Sequence, residues 1–198
     1  MTSIALASAS PRRRELLSQL GVDFIVVQAP IDESVLPGEQ AAAYVRRLAL
    51  AKAAAGFQAQ LAGAQTTAQK QLPTLGADTI VVVDGQILGK PADQADFVRM
   101  MHLLRDRCHQ VYTAVALHSA AWQRDVTVCT DVWFGPLSDS QIDAYWHSGE
   151  PADKAGGYGI QGLGGRFIEK IHGSYFAVVG LPLYETAALL EPLNAEAK

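Results

Sequence analysis

Apolar positions along this chain form short runs that alternate with longer stretches in which apolar residues recur at helical spacing. Apolar runs of about four to eight residues between turn signals are typical of buried strands, and the wider spacing is typical of amphipathic helices. The predicted strands cover residues 4–7, 24–27, 79–83, 86–88, 110–117, 126–134, 167–171 and 175–179. The predicted helices cover residues 41–55, 93–104, 139–147 and 182–190, in addition to one that begins at Pro11.

Local end signals define several helix boundaries. Ser10 is a preferred N-cap, Pro11 suits the first helical position, and Gly21 is a usual C-terminal stop. Gly56 is expected to end the second helix in the same way. The Ala- and Gln-rich residues 57–73 are interpreted as a helix extension that frays into an exposed loop.

The dipeptide Asp84-Gly85 lies between two apolar runs and is a strong signal for a two-residue β-hairpin. Counting back from this turn places Thr79 opposite Lys90, which brings Asp78 and Lys90 together at the open end of the hairpin. A carboxylate beside an ammonium there is either an ordinary cross-strand ion pair or a general base or metal ligand beside a phosphate-binding cation.

Strands mixed with helices, with at least one hairpin, favour an α/β fold that has a mixed twisted sheet and flanking helices. A length of 198 residues fits one domain or two small lobes. We therefore expect a single domain over residues 1–198.

Composition narrows the class of protein. The 16 Lys and Arg residues against 20 Asp and Glu residues give a net charge of −4, which disfavours a dedicated nucleic-acid-binding protein. No apolar run reaches the roughly 18 residues of a membrane span, and the arginines follow the first apolar run instead of preceding it as in a signal peptide. A cytoplasmic protein without a membrane or nucleic-acid partner is the expectation.

Three arginines follow the predicted start of the first helix. The N-terminal end of a helix carries a partial positive charge, so each cation placed there is unfavourable by about 0.3–1 kcal/mol. That is the position of Arg12, Arg13 and Arg14. A bound phosphate would reverse that sign, because helix amides and guanidinium groups both donate to phosphate oxygens. The alternative is a solvated helix end with its arginines extended into water.

Lys52 lies on the apolar face of the second predicted helix, since it follows Val45, Leu48 and Ala49 at helical spacing. Such a lysine either serves a functional site or extends its ammonium from the edge of the face into water. Glu33 is a carboxylate in a predicted loop and alone carries little weight.

Residues 150–162 form a glycine-rich segment that contains Gln161. Its glycines permit backbone conformations that other residues resist. The amide of Gln161 carries both a donor and an acceptor, and could pair with the O4/N3–H edge of uracil or thymine. The alternative is a simple connecting turn.

Several segments together resemble the Maf family of proteins. They are LASASPRRRELL at 6–17, DES at 32–34, GADTIVV at 76–82, LGKP at 88–91, YTAV at 112–115, DKAGGYGIQG at 153–162 and GSYFAVVGLPL at 173–183. The match extends in order over nearly the whole chain and is most similar to the branch that hydrolyses dTTP and UTP. The stretch 57–73 is longer than is usual in the family.

The resemblance implies a two-lobed α/β fold around a substrate cleft, commonly dimeric, and a nucleoside triphosphate pyrophosphatase activity. It implies a catalytic group comprising Asp78, Lys52, Lys90 and Glu33. It implies that the base is selected by Arg12, Thr79 and Gln161. Phosphate or substrate binding is expected from Ser8, Ser10, Arg13 and Lys154.

The resemblance also implies a divalent cation, Mg²⁺ or Mn²⁺, for which Glu33 and Asp78 are the candidate ligands because such cations prefer oxygen. Asp78 would serve either as the proton acceptor for the attacking water or chiefly as a metal ligand. Two other functions remain open. One is the 7-methyl-GTP pyrophosphatase branch of the same family, and the other is a regulator that binds nucleotide or nucleic acid without turnover.

Overall fold

The computed structural model describes residues 3–28, 30–62 and 71–196. Its strands are β1 (Ser3–Ala7), β2 (Asp23–Val26), β3 (Thr74–Val83), β4 (Gln86–Leu88), β5 (Arg107–His118), β6 (Gln123–Phe134) and β7 (Ile168–His172). Its helices are α1 (Pro11–Gln19), α2 (Ala41–Ala62), α3 (Gln94–Leu104), α4 (Asp139–His147), α5 (Tyr175–Val179) and α6 (Leu183–Glu196). No helix in these described ranges is long and apolar enough to cross a membrane.

The strands form one mixed sheet in the order β2-β1-β3-β5-β6-β7, and β4 pairs with β3 outside that path. β1 is parallel to both β2 and β3, whereas β4 runs antiparallel to β3, and β7 antiparallel to β6. Parallel strands require crossover connections, which α1 and α2 provide. The predicted α/β class with a mixed sheet and flanking helices is confirmed.

The described part of the chain divides into two compact units. Unit 1 takes its residues from Met1–Asp78, Thr113–Val128 and Gly180–Lys198, and unit 2 from Thr79–Tyr112 and Cys129–Val179. The chain passes from one unit to the other within the strands β3, β5 and β6, and again between Val179 and Gly180 after α5. A single functional domain over residues 1–198 stays a prediction.

α1 begins and ends where its sequence predicts. The side chain of Ser10 accepts a hydrogen bond from the amide of Arg13, and Pro11 is the first helical residue. Gly21 follows the helix with φ +67°, a left-handed conformation that glycine adopts at little cost. Leu16 and Leu17 are fully buried, so the predicted apolar face packs into unit 1.

Gly56 does not end α2, and that prediction is wrong. The helix continues through Gly56 to Ala62, so the predicted helical extension after residue 56 is confirmed, while residues 63–70 of the predicted loop lie outside the described residues. A Cβ atom at Gly56 would lie 2.6 Å from the Cβ of Ala7 and 2.9 Å from a methyl carbon of Thr74. The glycine therefore allows α2 to approach β1 and β3 closely, and its role is in packing.

The β3–β4 hairpin forms at the predicted turn, with φ +49° at Asp84 and +77° at Gly85. Positive φ at both central residues is the signature of a type I′ turn, whose twist matches the flanking strands. The ladder, however, ends at the pair Val81–Leu88. The register counted from the turn is confirmed by the pairs of this ladder, but β4 ends at Leu88, so Thr79 and Lys90 do not form the predicted ladder pair.

The last predicted strand, residues 175–179, is also wrong, because this segment is the helix α5. Ser174 begins the helix: its hydroxyl accepts a hydrogen bond from the amide of Ala177, and its carbonyl accepts one from the amide of Val178. The apolar run predicted a strand by composition, whereas the capping residue before it favours a helical turn. α6 extends beyond its predicted end to Glu196.

Aromatic rings within the hydrophobic core of unit 2 surround a buried histidine. His109 packs edge-on against Phe134 and Tyr158, and its Nε2 atom lies 2.7 Å from the Tyr158 hydroxyl. Within the described residues its Nδ1 atom has no hydrogen-bond partner. Burial lowers the pKa of His109 from its ordinary value of 6.5 to about 3, so the imidazole is neutral at physiological pH.

This burial predicts a loss of stability in mild acid. Below pH 6.5 the unfolded chain protonates His109 while the folded chain does not, so the free energy of unfolding should fall by up to about 1.4 kcal/mol per pH unit towards pH 3. Urea unfolding of the wild type and of His109→Gln between pH 7.5 and 5 measures the difference. The Gln variant should lose less stability over that range, and equal slopes for both proteins would contradict the assignment.

Candidate active site

One ammonium group joins two carboxylates in unit 1. The Nζ atom of Lys52 donates to Asp78 Oδ1 at 2.7 Å and lies 2.8 Å from Glu33 Oε1. The side chains of Lys52 and Asp78 are only 15% and 11% exposed, whereas Glu33 is 58% exposed. The structure thus brings together three of the predicted catalytic residues, with Asp78 buried and Glu33 open to solvent.

Close packing of α2 on β3 produces this contact. Gly76 lies two residues before Asp78 on β3, and a Cβ atom there would be 2.5 Å from the carbonyl oxygen of Ala49 and still nearer the amide of Ala53. Only a glycine facing a small-residue helix surface allows this approach. The next residue on that helix surface is Lys52, so the glycine and the two alanines set its ammonium against Asp78.

Glu33 is held by side chains of α2 that the sequence did not single out. The hydroxyl of Tyr44 donates to the carbonyl of Glu33 at 2.7 Å, and Arg47 donates to the carbonyl of Ser34 at 2.9 Å. Burial raises the pKa of Tyr44, and the charges of Asp78 and Glu33 add to this effect. The sequence signal for these contacts was a tyrosine and an arginine spaced three residues apart on the helix that carries Lys52.

One of the three arginines at the start of α1, Arg13, is hydrogen-bonded within the fold of unit 1. The Nε atom of Arg13 donates to the carbonyl of Gly180 at 2.9 Å, and its Nη1 atom donates to the hydroxyl of Ser8 at 3.3 Å. Burial lowers the pKa of Arg13, while the nearby charge of Asp78 raises it. Ser8 also accepts the amide of Ser10 at 3.3 Å. Arg13, Ser8 and Ser10 therefore form one linked group, and Arg13 is not a side chain extended into water.

Of the predicted residues not yet placed, Arg12 is half-buried on α1 in unit 1, and the others belong to unit 2. Thr79 is half-buried on β3, Lys90 is exposed just after β4, and Gln161 is exposed in the glycine-rich segment. The ammonium of Lys154 donates to the carbonyl of Glu150 and to the carboxylate of Asp153, both at 2.7 Å. Lys154 is thus engaged with its own segment.

The glycine-rich segment has a defined backbone structure, and the role of Gln161 in it stays a prediction. It contains two short 3₁₀ helices over Glu150–Asp153 and Ala155–Gly157, and a third over Leu163–Phe167 follows it directly. The amide of Gly156 donates to the carbonyl of Gly89 at 2.9 Å, which ties the segment to the residue before Lys90. Gly156 has φ +67°, and a Cβ atom there would lie 2.8 Å from a methyl carbon of Val81.

The described residues include no cluster of three or more His, Cys, Asp or Glu side chains arranged to hold a metal ion. They do include the predicted carboxylate pair, since Glu33 and Asp78 both contact Lys52 Nζ. Mg²⁺ is usually held by one or two carboxylates together with substrate phosphates and water. The pair therefore fits a cation that a nucleotide substrate helps to hold.

Comparison with known proteins identifies the family of this chain. The sequence model described as Maf-like protein matches residues 3–193. A dTTP/UTP pyrophosphatase of Vibrio parahaemolyticus is 52% identical over 189 residues, which are 96% of this chain and 96% of that protein. A dTTP/UTP pyrophosphatase of Escherichia coli O157:H7 is 54% identical over 195 residues, 98% of this chain and 95% of that protein. The chain belongs to the Maf family, as its motifs predicted.

The contact between Gly76 and α2 can be tested by adding a methyl group. Gly76→Ala forces the helix from the strand, and overpacking of this kind costs about 1–3 kcal/mol. Gly89→Ala is the matched control, because a Cβ atom there meets nothing within 4 Å. Urea unfolding should show a loss of stability for Gly76→Ala alone. Equal stability of the two variants would mean that α2 does not depend on this close approach.

Proposed function

We propose that this chain hydrolyses dTTP and UTP to the nucleoside monophosphate and pyrophosphate. The observation that carries the proposal is the buried Asp78 carboxylate bonded to Lys52, in a member of a family whose similar proteins are named dTTP/UTP pyrophosphatases. A largely buried carboxylate oriented by a lysine is suited to general-base or metal-ligand work.

In this proposal a water molecule attacks the α-phosphorus, and pyrophosphate is the leaving group. Asp78 serves this step either as the proton acceptor for the water or as a ligand of the divalent cation. Lys52 orients Asp78 through the 2.7 Å hydrogen bond, and it contributes positive charge for the phosphates. Glu33 shares the same ammonium while 58% of its side chain is exposed, so it has free oxygen lone pairs on the solvent side.

A divalent cation, Mg²⁺ or Mn²⁺, would be held by Glu33 and Asp78, and it would supply Lewis-acid stabilisation of phosphate charge. The chain itself provides further positive charge. The amides at the start of α1 carry partial positive charge, and Arg12 and Arg13 lie on that first turn. Ser8 and Ser10 hold this turn, and the exposed Lys90 offers another cation.

Base selection is assigned to Gln161, Arg12 and Thr79. The support for Gln161 is chemical: its amide offers one donor and one acceptor, which match the O4 and N3–H groups of uracil and thymine. Its exposed position leaves the amide accessible to a substrate. Guanine presents donors on the corresponding edge, so a carboxylate at this position would suit a guanine nucleotide better.

The family resemblance further favours a homodimer that acts in the cytoplasm. Light scattering of the purified protein measures the dimer directly.

The substrate assignment is tested by a screen of natural and modified triphosphates with Mg²⁺ and with Mn²⁺. We expect dTTP and UTP to give the monophosphate and pyrophosphate, with a much lower kcat/KM for 7-methyl-GTP. Preferred hydrolysis of 7-methyl-GTP would assign the chain to that branch of the family. Nucleotide binding without any turnover would instead favour a regulator.

Asp78→Asn keeps the size of the side chain and removes its charge. Loss of the general base or metal ligand should reduce kcat for dTTP by about 10²-fold or more. Steady-state kinetics with a parallel thermal unfolding curve separate this effect from misfolding. Near-normal turnover in the folded variant would remove Asp78 from the mechanism.

Gln161→Glu replaces a donor by an acceptor that faces O4 of the pyrimidine. Once the bound base covers this position, an unpaired polar group there costs roughly 1–3 kcal/mol, so kcat/KM for dTTP and UTP should fall by about tenfold or more. The kcat/KM for 7-methyl-GTP, measured in the same variant, should fall less or rise. If kcat/KM falls by the same factor for dTTP and for 7-methyl-GTP, Gln161 supports the segment and does not select the base.

A further inference from the structure

Two side chains of unit 2 hold the backbone on both sides of Gln161. The hydroxyl of Tyr145 donates to Glu150 Oε1 at 2.7 Å and accepts the amide of Gly159 at 3.1 Å. Glu150 accepts the amide of Leu163 at 2.8 Å and that of Gly164 at 3.1 Å. Three backbone amides that flank Gln161 are therefore bound by one tyrosine and one glutamate.

The segment is shaped to fit this pair. A Cβ atom at Gly164 would lie 2.6 Å from the Tyr145 hydroxyl oxygen, and one at Gly162 would lie 2.6 Å from the carboxyl carbon of Glu150. Glycines at these two positions let the backbone approach the two side chains closely enough for hydrogen bonding. The glycines of this segment therefore allow close contact with Tyr145 and Glu150 in addition to chain reversal.

Tyr145 is packed among aromatic rings, and Glu150 is charged. The ring of Tyr145 is fully buried and packs edge-on against Phe97 and Phe167, with centroids 5.9 and 5.0 Å apart. Burial raises the pKa of Glu150. The hydrogen bonds from Tyr145 and from the two backbone amides together lower it by more, so the pKa lies below its ordinary value. Hydrogen bonds to an ionised carboxylate are among the stronger ones in proteins.

We propose that Tyr145 and Glu150 are positioning residues for base selection, which act by fixing the backbone of residues 159–164 so that the amide of Gln161 has one orientation. The inference rests on the proposed function, since it concerns how Gln161 distinguishes bases. Neither side chain touches the substrate in this account. Their effect on specificity passes entirely through Gln161.

Tyr145→Phe tests the proposal because it removes only the hydroxyl and keeps the buried ring. The kcat/KM for dTTP relative to 7-methyl-GTP should fall by about five- to tenfold, since the substitution removes both hydrogen bonds of the Tyr145 hydroxyl, with the change mainly in KM for dTTP. In a Gln161→Ala background the same substitution should leave that ratio unchanged. A merely structural role would lower it by the same factor in both backgrounds.

Tyr158→Phe is the matched control. It also removes a buried hydroxyl, one bonded to His109 at 2.7 Å and to none of the amides around Gln161. We expect it to lower Tm to a similar extent and to leave the substrate ratio unchanged. Equal loss of specificity in both variants would overturn the proposal.

Amide hydrogen exchange gives a readout that does not depend on turnover. Residues 159–164 should exchange faster in Tyr145→Phe than in the wild type and in Tyr158→Phe. Unchanged exchange in Tyr145→Phe would overturn the positioning role even if the wild type hydrolyses dTTP. Faster exchange together with a wild type that does not hydrolyse dTTP would overturn the assignment to base selection and the proposed function, and leave the backbone contact established.

Discussion

The ammonium of Lys52 is shared by Asp78 and Glu33, and the structure around the site in unit 1 depends on that interaction. Asp78 is nearly buried, and a buried carboxylate without a partner costs far more than the roughly 0.2–1 kcal/mol that an exposed ion pair contributes. α2 must therefore lie against β3, which requires glycine at position 76. The same helix supplies Tyr44 and Arg47, which hold the loop that carries Glu33.

Sequence signals predicted the parts of the fold that depend on neighbouring residues. The N-cap at Ser10 and the turn at Asp84-Gly85 are confirmed, because a cap and a two-residue turn are each determined within a few positions. Gly56 was misread as a helix stop, since its role depends on Ala7 and Thr74, which are distant in the chain. The segment 175–179 was misread as a strand because its composition outweighed the capping residue Ser174.

The candidate site shows the same division. Helical spacing placed Lys52 on the inner face of its helix, and the family motifs identified Asp78, but their direct contact joins residues 26 positions apart. Counting residues back from the Asp84-Gly85 turn places Asp78 beside Lys90 instead, because the count uses only the two strands of one hairpin. The Tyr145–Glu150 pair was missed for a related reason, since its contacts with Gly159 and Gly164 depend on how the glycine-rich segment folds back on α4.

The central claim is that Lys52 and Asp78 act as one unit in dTTP hydrolysis. A double-mutant cycle on kcat/KM for dTTP, with Lys52→Met, Asp78→Asn and the double variant, tests it most directly. If the two residues act together, each single substitution should cost about 10²-fold or more, and the double variant should lose no more than about tenfold beyond the larger single loss. Losses that multiply would show that the two residues contribute independently, which would contradict the account.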